Sequence, residues 1–117
     1  MNDLFAKYRF LLCHRNGTVD ICDACPGDDM GYTGELHNII STILCSDEHC
    51  IHPFGSDMCC ISIDDDSDMV NGLASKITGL TVYGTALIFG YKGRNGVCGL
   101  TDSQDRRMQM ELFGRVR

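Results

Sequence analysis

The sequence predicts an α+β fold, a single domain over residues 1–117. It is an antiparallel sheet of about five strands with two or three helices packed on one face. Three observations predict it. Short β-rich runs are joined by turn residues, one stretch repeats apolar residues at helical spacing, and the composition suits one modest core. The 117 residues are 44% apolar and 22% charged, an ordinary globular balance and too apolar for disorder.

The elements follow in order. Tyr8 to Cys13 and Thr18 to Cys22 are β-rich, and His14-Arg15-Asn16-Gly17 joins them. Asn-Gly supplies the positive φ angles of a tight hairpin. Residues 23–32 carry Pro26, Gly27 and Gly31 among aspartates and read as a polar loop. Leu36, Ile39, Ile40, Ile43 and Leu44 then form one helical stripe, with Thr33 as N-cap and Glu35 in the first turn. Pro53 and Gly55 break the chain before a strand at Met58 to Ile63. Met69, Val70, Leu73, Ala74 and Ile77 suit a second amphipathic helix, which Gly72 weakens. Thr81 to Tyr91 is β-branched and aromatic, the composition of a buried strand, and Gly93 to Gly96 turn it back to Val97-Cys98. The last helix opens near Leu100, where Thr101 and Gln104 have capping-box spacing, and Gly114 would cap its end.

Charge is split along the chain. Residues 1–75 hold 3 Lys and Arg against 13 Asp and Glu, a net of −10, whereas residues 76–117 hold 7 against 3, a net of +4. The acidic pI near 4.9 argues against general nucleic-acid binding, which needs cations to displace counterions. It suits a nucleic-acid mimic or a partner with a basic surface. No apolar run is long enough to span a bilayer, so no membrane role is expected. Met1-Asn2-Asp3-Leu4 lacks the basic start of a signal peptide, which points to the cytosol. Eight cysteines are then read as reduced thiols acting as small apolar residues.

Four constellations carry possible chemistry. Cys22 and Cys25, with Cys45, His49, Cys50 and His52 further on, have ligand types for structural zinc. The second pair is poorly spaced, and buried thiols are the simpler reading; were zinc present, Cys22 and Cys25 would be its ligands. Asp64, Asp66 and Asp68 imitate half a calcium loop, but Met69 and Ser75 stand where Gly and Glu belong, which leaves a solvated acidic turn. No signature pairs any cysteine with His14, His37, His49 or His52 for nucleophilic catalysis, and no paired carboxylates stand out. An enzyme and a cofactor are not expected.

The fourth is the run Gly90-Tyr91-Lys92-Gly93-Arg94-Asn95-Gly96-Val97-Cys98-Gly99. Its plain reading is a hairpin turn on Asn95-Gly96. The sharper one is an anion site, in which Lys92 and Arg94 pair with phosphate and Tyr91 stacks on a base. Asn95, the amides beginning at Thr101, and Arg106 one turn into the helix would complete it.

The chain also resembles a small domain family of bacteriophages and other mobile elements to which no activity is attached. The matching pieces are the opening hairpin, Gly34-Glu35-Leu36-His37-Asn38-Ile39-Ile40, and Met58 to Ile63. The best match is Gly84-Thr85-Ala86-Leu87-Ile88-Phe89-Gly90 followed by Gly99-Leu100-Thr101-Asp102-Ser103-Gln104. Gly72-Leu73-Ala74-Ser75-Lys76 departs from it, lacking the Pro and Asn of the family's Gly-Leu-Pro-x-Asn turn. The resemblance implies an accessory phage protein of the host cytoplasm, acting against bacterial defence. Joined to the glycine-rich segment, it suggests sequestration of a phosphorylated, nucleotide-type signal by a homo-oligomer. The alternatives are an acidic protein–protein inhibitor that occupies a host defence protein, or a zinc-stabilised regulatory module.

Overall fold

Period-two alternation builds this molecule from the centre outwards. The computed structural model describes residues 8–24, 39–46, 48–63, 65–92 and 97–113. Its strands are β1 (Tyr8–Cys13), β2 (Val19–Ala24), β3 (Cys50–Phe54), β4 (Met58–Ser62), β5 (Ala86–Tyr91) and β6 (Val97–Cys98). Its helices are α1 (described over 39–44), α2 (Gly72–Thr78) and α3 (Asp102–Phe113). All the pairings are antiparallel, in the order β2-β1-β5-β4-β3. β6 continues the edge of β5 beyond β1, pairing Gly90 with Cys98 and Tyr91 with Val97. The fold is a single α+β domain, as the sequence predicts.

The helices do not share one face. Leu11, Cys13, Met58, Cys60, Ala86 and Ile88 pack with Ala74 of α2 and Met108 of α3. The alternate positions Phe10, Cys59, Ile61, Leu87 and Phe89 pack with Ile40 and Leu44 of α1. The reason lies in β4 and β5, which are apolar at nearly every position and so bury both sides. Phe10 and Phe89 stack at 4.8 Å beneath α1.

Local departures from expectation have local causes. The first hairpin turns through three residues rather than two. Gly17 N–H donates to His14 O at 3.0 Å and His14 N–H to Thr18 O at 2.8 Å. Only Gly17 takes a positive φ (91°), while the Asn16 carboxamide oxygen accepts from Thr18 N–H. This is a type I turn closed by a left-handed glycine. β3 is the strand that Pro53 concealed; it lies at the sheet edge, where a missing N–H is tolerated.

α2 starts later than the apolar spacing suggests. Gly72 is its first residue, Asn71 its N-cap and Gly79 (φ 76°) its C-cap, so Met69 and Val70 precede it. Asn71 is fully buried and fully used. Its oxygen accepts from Ala74 N–H at 3.0 Å, and its nitrogen donates to Cys13 O at 3.0 Å and Gly84 O at 2.8 Å. The strand expected from Thr81 begins only at Ala86, because Gly84 (φ 73°) turns the chain and Val82 and Tyr83 answer Asn71 and Val70 instead. Thr33, Glu35, Gly114 and most of loop 23–32 lie outside the described residues.

Candidate functional site

The start of α3 is built by its capping box. Thr101 Oγ1 accepts from Gln104 N–H at 3.1 Å, and Gln104 Oε1 accepts from Thr101 N–H at 2.9 Å. Gln104 then reaches out of the helix and donates through Nε2 to Asp57 O at 2.8 Å, tying α3 to the β3–β4 turn. Arg107 joins the same turn, with one guanidinium nitrogen 3.0 Å from each Asp57 carboxylate oxygen. Side-chain hydrogen bonding by Gln104 and then by the Arg107 guanidinium, against some desolvation, holds the Asp57 carboxyl below its ordinary range. The approach leaves no room at Gly90. A Cβ there would stand 2.9 Å from Gly99 O, 3.0 Å from Cys98 Sγ and 3.1 Å from Gln104 Oε1.

Along the outer side of α3, Asp102, Ser103, Arg106, Arg107 and Met110 line a shallow concavity of about 460 Å³. Arg106 and Asp102 stand there with Arg107, whose guanidinium is already engaged by Asp57, beside the positive end of a 12-residue helix. Thr101 and Arg106 are exposed at this end, but the Thr101 amide is not free, since it donates to Gln104 Oε1. Lys92 is also exposed, and its charge acts on the nearby Cys98 thiol. Tyr91 is not part of this group. Its side chain packs with the α1-side cluster, whereas α3 covers the opposite face, so β5's alternation separates the stacking residue from the cations. Arg94 and Asn95 lie outside the described residues. Sequence reading missed Ser103 and Arg107; helical spacing was the signal that would have found them, Ser103 standing three residues before Arg106 and four before Arg107.

The zinc candidates are dispersed. Cys22 is in β2 and Cys50 and His52 in β3, on opposite edges of the sheet, four strand spacings or about 19 Å apart. One metal cannot bridge them, and Cys25 lies outside the described residues. Cys45 does not continue the apolar register of α1. It takes a left-handed conformation (φ 58°) and ends the helix, with Ser46 N–H bonding Ser41 O and Cys45 N–H bonding Thr42 O. Among the described residues, no group of three or more His, Cys, Asp or Glu is placed to hold a metal ion. In the acidic turn, Asp65 accepts from Ser67 through both N–H and hydroxyl, and Asp68 pairs with Arg15 at 3.0 Å; Asp64 lies outside the described residues.

Four of the thiols are poor nucleophiles. Burial pushes Cys13 and Cys59 up to about 12, and it raises Cys22 and Cys98 as well. None of the seven described cysteines is in a disulfide. His14 meets Asp20 at 2.7 Å on the exposed first hairpin, which braces the turn.

A second and smaller cleft, about 200 Å³, opens where α1 ends. Ile43, Leu44 and Ile63 form its floor, and Arg15, Asp65 and Tyr83 stand on its walls. No helix among the described residues is long and apolar enough to cross a membrane. No protein-family model, curated protein or solved structure matches the chain.

Proposed function

We propose that this chain is a non-enzymatic binding protein that holds a phosphorylated small molecule at the start of α3 without altering it. Its setting, taken from the family resemblance, is the host cytoplasm, where an accessory phage protein sequesters a nucleotide-type defence signal. One observation carries the reading: the concavity in which Ser103 and Arg106 stand beside the capped helix start, with Asp102 on its lining and Arg107 shared with Asp57. A phosphate there meets charge-assisted donors and the helix dipole together. Lys92, exposed just past the end of β5, extends the site. The protonated thiols support binding over covalent chemistry.

The test is retention. The protein is incubated with cyclic dinucleotides and cyclic ADP-ribose-type signals, freed of unbound ligand and heat-denatured. Intact ligand should be released from the wild type, and Arg106→Glu should bind about tenfold more weakly or worse, since each such contact contributes about 1.5–3 kcal/mol. No retained nucleotide, or nucleotide recovered cleaved, removes the reading.

The same reading includes self-association, with the −10 stretch of one copy facing the +4 stretch of another. Light scattering should show a dimer or larger species at low salt. It should shrink at high salt, since exposed charges are screened over about 8 Å at physiological ionic strength. A monomer at every salt concentration rules self-association out.

A further inference from the structure

The cleft at the end of α1 is continuous with an unusual piece of surface. Ile63, which forms part of its floor, is 41% exposed, and Met69 and Val70 are 60% and 50% exposed. Met69 and Val70 lie next to the cleft rather than lining it: Gly84 N–H donates to Met69 O at 2.9 Å, and Val70 bridges Tyr83, both partners being lining residues. Three large apolar side chains therefore stand in water at and beside one opening, a pattern that marks interaction sites.

The charge around them is acidic on balance, one cation against three carboxylates. Asp68 is neutralised by Arg15 at 3.0 Å, and its other oxygen accepts from Met69 N–H. Asp65 and Asp66 are exposed, and no described cation pairs with either. The rim thus presents two uncompensated carboxylates beside an apolar floor. An anion is repelled from such a surface, and a purely apolar partner leaves both carboxylates stranded.

We propose that this cleft, together with Ile63, Asp65, Asp66, Met69 and Val70 beside it, forms a docking surface for a protein segment in which Lys or Arg alternates with apolar residues. Apolar side chains of the partner cover Ile63, Met69 and Val70. A basic side chain lays its methylene stem over Ile43 and Leu44 and carries its charge to Asp65 and Asp66. Arg15 keeps Asp68 satisfied throughout. This surface stands apart from the α3 concavity and does not depend on the phosphate reading.

Fluorescence anisotropy with short labelled peptides tests it. A peptide alternating Lys and Leu should bind the wild type; peptides alternating Lys and Ser, or Glu and Leu, should not. Asp65→Asn with Asp66→Asn should weaken binding about tenfold, and Met69→Ser should do the same on its own. Glu48→Gln, an exposed acid outside this surface, should change nothing. All of these substitutions are at exposed positions, and unchanged melting curves confirm that they fold. The proposal fails if the Lys-Leu peptide does not bind, if the Lys-Ser peptide binds equally well, or if the patch variants bind like the wild type. It also fails if Met69→Ser abolishes self-association, which would make a second copy the occupant.

Discussion

Asn71 shows how much one side chain can organise. It caps α2, holds the end of β1 and fixes Gly84, with no exposed surface. Asn71→Ala removes three hydrogen bonds and leaves buried carbonyls without donors. We expect a loss of about 3 kcal/mol, read as a lower urea midpoint with unchanged slope. Asn71→Asp keeps the cap acceptor but loses both donors and buries a charge, so it should not rescue. Nothing in the sequence distinguishes Asn71 from any other loop asparagine. Its importance comes from residues 58 positions before and 13 after it, and such contacts have no local signature.

At the scale of elements, local chemistry was legible and long-range pairing was not. Thr101 and Gln104 form the expected capping box, and Met58 to Ser62 and Val97-Cys98 are strands, because three- and four-residue patterns suffice for these. β3 was hidden because Pro53 reads as a breaker until the strand is known to be an edge. The far-side placement of α1 was equally hidden, since the uniformly apolar run Met58 to Ile61 does not say which face each residue takes. Of the candidate site, Arg106 lines the α3 concavity and Thr101 stands just before the helix, while Tyr91 was lost to the strand's alternation. α2 gives a clean check. Gly72 is its first residue with open space around its Cβ position, so Gly72→Ala should stabilise by about 0.4–1 kcal/mol. Thermal or urea unfolding measures it, and a drop in stability would mean that the helix start is misplaced.

For the molecule as a whole, the two faces of the sheet each bury a thiol that the fold keeps protonated. Cys13 lies on the α2–α3 side and Cys59 on the α1 side, both raised from 9.0 to about 12. The unfolded chain loses these protons first, so their contribution is intact below about pH 9 and disappears as pH climbs towards 12. Urea midpoints taken from about pH 8 to about pH 11 should fall steeply, and Cys13→Ala should flatten part of that slope. A midpoint indifferent to alkali would mean that these thiols titrate as they do in water.

The strand order carries a consequence for how the chain assembles. β1 and β2 form one hairpin, β3 and β4 another, and these two never pair with each other; β5 enters between them late in the sequence. During synthesis from the N-terminus, both ribbons must therefore wait with open flanks until residues 86–91 have emerged. An isolated two-stranded ribbon is marginal in water, so the native sheet closes in one late, concerted event around β5. The exposed thiols and unfinished edges of that waiting period are when this chain is most open to misassembly, and the arrival of its fifth strand ends it.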